Sequence, residues 1–243
     1  MTESVFSSRE HNVNVLRLKA TGQRKINLVL GLKETPGRDG VHLATNLDSA
    51  FSSVSTEAFS GWLSYRAAYK YDAGGYEGLA RVSLKGGSMI TEGDFLRIAD
   101  ADEVLVLVRI TPLENANLSV RPSVQRELSR LPLDYNTLLL PHSRKHAEMF
   151  RRMQLDLGCS SDWKTTSTEK MLSDIHKHGV TPLFLEQIHA MGRYLLISSS
   201  GKYPPPLEGI WGGGWKPGWM GGFVWDSNIN LAVSAAAMGN LHE

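Results

Sequence analysis

The segment RYLLISSS at residues 193–200, followed by LEGIW at 207–211 and WDSNINL at 225–231, decides the interpretation of this chain. Working outward from the first of these, Thr181-Pro182 is a strong helix start, because a hydroxyl cap is followed by a proline. Apolar residues recur behind it at helical spacing. The pattern predicts a helix that runs to about Ser198.

The two later segments enclose an unusual composition. Four of the six tryptophans lie between Trp211 and Trp225, among many glycines and prolines. Tryptophan offers a large apolar ring, and glycine lets the backbone approach a ligand closely. With Asn228 and Asn230 behind them, these rings have the chemistry of a sugar site, since rings stack on C–H surfaces and amides bond to hydroxyls. The same composition also fits a loop whose tryptophans pack inward between two layers.

Beyond the tryptophans, residues 225–230 are predicted as a loop that leads into a final helix, Leu231–Glu243. The segment LAVSAAAM inside that helix is small and apolar, which favours burial between neighbouring helices. Ser198, Ser199 and Ser200 are predicted to end the preceding helix, because no G-x-S-x-G elbow surrounds them.

With Gly192 ahead of the first, the three segments stand in the order and wording that resemble a signature of glycoside hydrolase family 95. That family contains α-L-fucosidases and some α-L-galactosidases. The resemblance implies an α+β chain of several domains. Residues 1–125 would form part of an antiparallel β-sandwich, 126–180 a helical linker, and 181–243 the first helices of an (α/α)6 barrel that the chain does not complete.

The resemblance also implies site residues. Family 95 enzymes invert, so they need an acid and a base carboxylate, and the resemblance places both well beyond the N-I-N triplet. Asn230 would hold the attacking water, Asn228 would contact substrate, and Trp211 and Asp226 would line the site. The chain carries no such downstream pair, so we expect a glycosidase that is inactive alone.

The chain departs from the family wording at three places. Glu208 stands where the family usually has glutamine, and Asp226 stands where many members have histidine. The usual continuation after the triplet is replaced by LAVSAAAM, which indicates a divergent branch. From its position, Asp226 is predicted to cap the following helix, and the alternative is a local acid or base.

Residues 12–110 show strand patterns. Asn12–Ala20 alternates apolar and polar, the turn at Thr21-Gly22-Gln23 follows, and Ile26–Leu32 is predicted as the return strand of a hairpin. Glu103–Ile110 is almost wholly apolar, as expected of a strand covered on both faces. Further strands are predicted at Trp62–Tyr71, Gly78–Leu84 and Phe95–Ile98.

Residues 111–132 contain three prolines and no clear period, so they are predicted as a connector. Asp134 is predicted to cap a helix over Tyr135–Arg152 that Pro141 kinks or splits. Thr166 and Glu169 form a predicted capping box for a helix at Met171–Lys177. The segment Leu155–Gly158 resembles a strand of the family linker.

His142 and His146 lie four apart on one helical face, but Arg144 and Lys145 stand between them and no glutamate of an HExxH motif is present. They are therefore predicted as surface histidines. No motif for a metal, nucleotide or flavin cofactor is visible. The single cysteine, Cys159, excludes an internal disulfide and is predicted to be structural.

Composition excludes several classes of partner. The formal net charge of the 243 residues is +1, so no field of one sign favours nucleic acid or a membrane surface. No apolar run approaches the length of a membrane span. The first residues lack the pattern of a signal peptide, which leaves the location open.

Two other functions fit the sequence. A glycan-binding or interaction module would keep the aromatic rings and dispense with carboxylates, and an (α/α)6 glycoside phosphorylase would share the layout. Under the leading hypothesis, a family 95 glycoside hydrolase, the substrate is a fucosylated or related L-sugar glycan. Helix faces meant for barrel neighbours would then be exposed and favour self-association.

Overall fold

The structure is a computed structural model in which two compact units are distinguished, Met1–Ser143 and Arg144–Glu243. It describes residues 1–33, 50–159, 166–201, 203–207, 209–210, 225 and 227–242. The first unit contains antiparallel sheets and the second contains helices. The predicted α+β class is confirmed, whereas the division at residues 125 and 180 and the barrel remain predictions.

Nine strands form two antiparallel sheets in the described part of the first unit. The larger sheet has the order β1-β2-β9-β6-β5-β4, and the smaller has the order β3-β8-β7. The strands are β1 (Thr2–Ser8), β2 (Val13–Lys19), β3 (Ile26–Leu30), β4 (Phe51–Phe59), β5 (Trp62–Tyr69), β6 (Gly75–Lys85), β7 (Ser88–Glu92), β8 (Phe95–Ala101) and β9 (Glu103–Leu113).

Strand β9 separates two hydrophobic cores. Val104 and Val106 pack in the core that holds residues of both sheets, including Leu96 from β8. Leu105 and Leu107 point to the other face, because side chains alternate along a strand. All four are buried. The two-sided burial predicted from this apolar run is confirmed, and the first core gives the sandwich its two layers.

The pairing predicted for β3 is wrong. Strand β2 pairs with β1 and β9, whereas β3 pairs with β8 in the smaller sheet. The chain therefore crosses from one sheet to the other between β2 and β3, with Gly22 at a φ of 64° in the connection. Crossing places Ile26 in the smaller sheet, where it packs in the core that also contains Leu18 of β2.

The predicted connector contains a helix, α1 (Arg121–Arg130), that lies along β6. At its start, the Glu77 carboxylate accepts hydrogen bonds from the backbone N–H groups of Val120 and Arg121, both at 2.9 Å. At its end, Arg81 Nη1 donates to the carbonyl oxygen of Leu128 at 2.9 Å. The acidic group thus meets the positive helix end and the basic group the negative end.

The spacing of Glu77 and Arg81 along β6 explains how this one strand contacts both ends of α1. Glu77 and Arg81 are four residues apart, so they face the same side at a separation of about 13 Å. A helix of this length measures about 15 Å. Between them, Leu79 packs in the second core with Val124 and Leu128 of the helix.

We expect Glu77→Ala to lower the free energy of unfolding by about 1–3 kcal/mol, because it leaves the part-buried amides of Val120 and Arg121 without their carboxylate acceptor. Glu77 is 5% exposed. Glu57→Ala is the matched control, since Glu57 meets α1 only through an ion pair with Arg121 at the surface. The Glu57→Ala substitution should lower the free energy of unfolding, measured in urea, by less than about 1 kcal/mol. Equal losses in the two variants would contradict the role given to Glu77.

Helix α2 (Tyr135–Arg151) begins as predicted and runs through Pro141 without being split. Asp134 Oδ1 accepts from the Thr137 backbone N–H at 2.8 Å and from its hydroxyl at 2.7 Å. The predicted cap is therefore confirmed. These hydrogen bonds, first from the Thr137 side chain and then from its backbone, hold the pKa of Asp134 below its ordinary value.

This cap predicts a pH dependence. Because the pKa of Asp134 is lowered in the folded state, its contribution is present above the ordinary carboxyl pKa of about 3.9 and is lost as pH falls through the folded pKa. We expect the stability difference between the native chain and Asp134→Ala to shrink over that acidic range. Urea unfolding at a series of pH values measures it, and a difference independent of pH would be contrary to this cap.

Helix α3 (Thr168–His178) is capped one residue later than predicted. The Ser167 side chain accepts from the Lys170 backbone N–H at 3.3 Å, so the cap is Ser167 and not Thr166. Backbone and Ser167 hydrogen bonds lower the pKa of Glu169 in the first turn. The helix itself is confirmed. Leu155–Gly158, predicted as a strand, forms none in the described part of the second unit.

Candidate functional site

Helix α4 (Pro182–Ser199) carries the RYLLISSS segment and begins at the predicted cap. The Thr181 side chain accepts from the Phe184 backbone N–H at 3.3 Å. The helix ends one residue beyond the predicted end. There the Ser199 hydroxyl donates to the Leu195 carbonyl oxygen at 2.8 Å, which supports its assignment to a helix end.

Helix α5 (Asn228–Met238) begins three residues earlier than predicted. Asn228 and Asn230 therefore lie in its first turn and not in the preceding loop. The reason is that Leu231 already donates its backbone N–H to the Ser227 carbonyl oxygen, at 3.0 Å. The predicted end at Glu243 is also corrected, because the helix ends at Met238.

The two asparagines flank a buried residue. Ile229 is 8% exposed, whereas Asn228 is half-buried and Asn230 is exposed. Residues two apart on a helix point in widely different directions, so the two amides do not share a helix face. In a first turn, however, both can reach a ligand placed beyond the helix end. Neither side chain is enclosed in a dry core.

The start of α5 is electrostatically suited to a polarised water. Ser227 makes no side-chain capping bond to this helix. The first N–H groups of a helix carry partial positive charge, which favours negative charge nearby. Oxygen gains negative charge as a water loses its proton, so this helix end would stabilise an attacking water held by an amide.

The other predicted site residues, Trp211 and Asp226, lie outside the described residues, as do Glu208 and Glu243. The structure thus describes the asparagine pair alone among the residues assigned to the site. Trp225, at the edge of this segment, is exposed.

A buried arginine that sequence reasoning missed joins the helices of this unit. Arg193 of α4 is 6% exposed. Its Nη2 and Nε donate to the carbonyl oxygens of Met149 and Phe150 near the end of α2, at 2.7 and 3.2 Å, and its Nη1 donates to the Gly239 carbonyl oxygen at 2.5 Å. Burial, and then the charge of Arg152, lower the pKa of this guanidinium.

A sequence signal for this residue existed. Arg193 stands among the apolar residues of α4, where an unpaired charge would be costly to bury. An arginine at such a position predicts acceptors from neighbouring elements. The pattern could not show that the acceptors are backbone carbonyls at the ends of helices distant in the sequence.

Described residues of the second unit line two cavities that are candidate sites. The smaller, of about 470 Å³, lies between α4 and the end of α5 and is lined by residues that include His189, Arg193 and Ser234. The larger, of about 720 Å³, lies beside α4 and the end of α2 and is lined by residues that include Phe150, Glu186 and Tyr194. Neither is lined by Asn228 or Asn230, so the structure does not bring the pair into either cavity.

Cys159 lines the larger cavity. Burial, together with a hydrogen bond to Glu186, raises the pKa of its thiol. A raised pKa keeps sulfur protonated and weakens it as a nucleophile. This supports the prediction that the cysteine is structural.

The predicted surface histidines each contact aromatic rings. His142 stacks on Phe6, with ring centroids 5.0 Å apart, and His146 stacks on Phe150 at 6.2 Å. Among the described residues, no group of three or more histidine, cysteine or acidic side chains is placed to hold a metal ion. Within the same residues, no helix has the length and hydropathy needed to cross a membrane.

Comparison with known proteins gives a family match for part of the chain. A protein-family model, described as the glycosyl hydrolase family 95 catalytic domain, matches residues 134–243. Probable alpha-fucosidase A from Aspergillus niger is 32% identical over 116 residues, covering 45% of this chain and 14% of that protein. Alpha-L-fucosidase 2 from Arabidopsis thaliana is 28% identical over 178 residues, covering 67% of this chain and 21% of that protein.

A solved structure titled putative kojibiose phosphorylase from human microbiome matches with a TM-score of 0.38 and 10% identity, covering 60% of this chain and 21% of that one. The chain spans about a fifth or less of the length of the curated relatives it matches. The resemblance stated from the sequence is confirmed: residues 134–243 match the glycosyl hydrolase family 95 catalytic domain, and the chain is similar to α-L-fucosidases.

Proposed function

We propose that this chain is part of an inverting glycoside hydrolase that acts on α-L-fucosides or related L-sugar glycans. Asn230 holds the attacking water and Asn228 contacts the sugar, with Trp211 and Asp226 beside them. The observation that carries the proposal is the position of the N-I-N triplet. It lies within the family match, in the first turn of α5, with Asn230 exposed.

The amides explain part of the reaction. Inversion needs a carboxylic acid that protonates the leaving oxygen and a carboxylate that takes a proton from water on the opposite face. An amide does neither, but it can fix the position of that water by accepting and donating hydrogen bonds. Asn230 therefore orients the water, and the helix end favours the charge that develops on it.

The same argument predicts that these residues are not sufficient for catalytic turnover. After Asn230 the sequence contains one acidic residue, Glu243, whereas the mechanism needs two carboxylates across the scissile bond. We propose that turnover requires residues outside these 243. The purified chain should therefore release no nitrophenol from 4-nitrophenyl α-L-fucoside above the buffer blank.

A chimera tests the proposed function. The catalytic-domain segment of the Aspergillus niger relative that corresponds to residues 134–243 is replaced by those residues of this chain. The folded chimera should hydrolyse 4-nitrophenyl α-L-fucoside and release fucose of inverted anomeric configuration, detected by NMR. A chimera that is folded by circular dichroism and elutes as a single species, yet has no hydrolase activity, would contradict the proposal.

Exposed apolar side chains on the helical unit also support self-association of the isolated chain. Along α4 they recur every three residues at Leu185, Ile188, Met191 and Tyr194. Leu231 and Met238 are exposed on α5. Contiguous apolar surface of this kind marks contact sites in soluble proteins.

We expect sedimentation velocity to show association that increases with concentration and weakens in Met191→Glu, because the charge would have to be buried in the contact. Ile90→Glu is the matched control, since Ile90 is a similarly exposed residue of the other unit. A sharp monomer at high concentration, or an equal response to both substitutions, would count against contact through α4.

A further inference from the structure

Every hydrogen bond described for Arg193 goes to a backbone carbonyl at or near the C-terminal end of another helix. Two go to the end of α2, at Met149 and Phe150, and the third goes to Gly239 after α5. The last carbonyls of a helix have no partner within it and carry partial negative charge. A buried guanidinium supplies these carbonyls with both hydrogen-bond donors and positive charge. The Arg193 side chain thereby connects the ends of α2 and α5 to α4.

Helix α5 has one buried residue, Ile229 near its start, whereas Leu231 and Met238 are exposed. Ile229 at the start and the cap at the end therefore both contribute to holding its direction. The cap is reinforced by Arg152, whose Nη1 donates to the Asn240 carbonyl oxygen at 3.4 Å.

The backbone after α5 is shaped around the guanidinium. Gly239 is buried, and a Cβ there would lie 3.0 Å from Arg193 Nη1 and 2.8 Å from the Ala235 carbonyl oxygen. Its φ of −82° is open to any residue, so glycine is required here for space and not for conformation. The space beside Gly239 is therefore filled by the Arg193 guanidinium.

We propose that Arg193, seated against Gly239, is a positioning residue that fixes the direction of α5 and so the placement of Asn228 and Asn230. The α5 helix is about 16 Å long, so a change of its angle at the cap moves the asparagines at the opposite end. The effect on α5 stands on the geometry alone, and the step to catalysis rests on the function proposed above.

Hydrogen exchange of the full chain tests the first step. Arg193→Met should lower the protection of the α5 amides at least tenfold more than that of the α3 amides. Arg81→Met is the matched control, because Arg81 makes the same kind of contact with the end of α1. That control should affect α1 and leave α5 unchanged.

Two variants guard against simple misfolding. Arg193→Lys keeps the charge with fewer donors and should give an intermediate loss of protection in α5. Gly239→Ala leaves the arginine in place but crowds it, and should affect α5 in the same direction. Unchanged protection of α5 in Arg193→Met, or an equal loss in α3 and α5, would overturn the proposal.

Side-chain amide signals of Asn228 and Asn230, assigned in the 15N spectrum through Asn→Asp variants, report their placement without any ligand. Arg193→Lys should shift both signals, and unshifted signals would overturn the step from α5 to the asparagines. In the chimera, Arg193→Lys should lower kcat per folded molecule about tenfold with KM little changed, whereas a stability role would lower the folded fraction and leave kcat per folded molecule unchanged. If the native chimera is inactive, the proposed function is rejected. The hydrogen-exchange and NMR results would still decide whether Arg193 positions α5.

Discussion

Asn230→Ala in the chimera is expected to lower kcat for 4-nitrophenyl α-L-fucoside by about 100- to 1000-fold, the loss seen when one oriented polar group is removed from a transition state. KM should change little, because the amide positions the water and not the sugar. Asn228→Ala should instead raise KM, since that side chain is assigned to substrate. Steady-state kinetics on both variants separate the two roles.

The control for this prediction lies one helical turn further along α5. The Ser234 hydroxyl donates to the Leu231 carbonyl oxygen of its own helix, so Ser234→Ala removes a nearby polar group with no role in the reaction. Its kcat should equal that of the native chimera. A folded Asn230→Ala chimera with native kcat would remove Asn230 from the mechanism.

Leu79→Ala should lower the free energy of unfolding of the first unit, Met1–Ser143, by about 2–5 kcal/mol. Leu79 is 1% exposed and packs with Val124 and Leu128, between the two charged residues that hold α1 on β6. Removing it leaves a cavity where strand and helix meet. Urea unfolding followed by tryptophan fluorescence measures the change.

Ile110→Ala is the matched control on the same sheet. Ile110 lies in β9 and is 58% exposed, so its truncation should change stability by less than about 1 kcal/mol. A loss for Leu79→Ala no greater than that of Ile110→Ala would mean that α1 does not depend on this contact.

The strands that the sequence predicted are mostly those with a buried face on a regular period. Those it missed, β1, β4 and β7, all lie at the edges of their sheets. An edge strand such as β4, FSSVSTEAF, exposes most of its side chains and needs few apolar residues. Its hydrogen bonds to β5 define it, and these come from outside its own sequence.

Helix α1 was missed for a related reason. Its start is capped by Glu77 and its end by Arg81, which precede it by some forty residues. A proline in the first turn is harmless, because that N–H has no helical partner. Helices α2 and α4, whose caps Asp134 and Thr181 are adjacent in sequence, were predicted almost to the residue.

For the candidate site, the sequence supplied the asparagine pair and the family, and the structure supplied their setting. The pair belongs to the first turn of α5 because the helix starts directly after Ser227. The sequence does not mark this start with a Thr-Pro pair like the one before α4. The partners of Arg193 could not be predicted either, because its acceptors are backbone groups that only the folded chain brings together.

The most direct test of the central claim is a crystal structure of the chimera with bound L-fucose. The account predicts sugar density beyond the start of α5, with the Asn228 amide about 3 Å from a hydroxyl and an ordered water at a similar distance from the Asn230 amide. L-fucose bound elsewhere in an active chimera, with both amides facing away from it, would contradict the account.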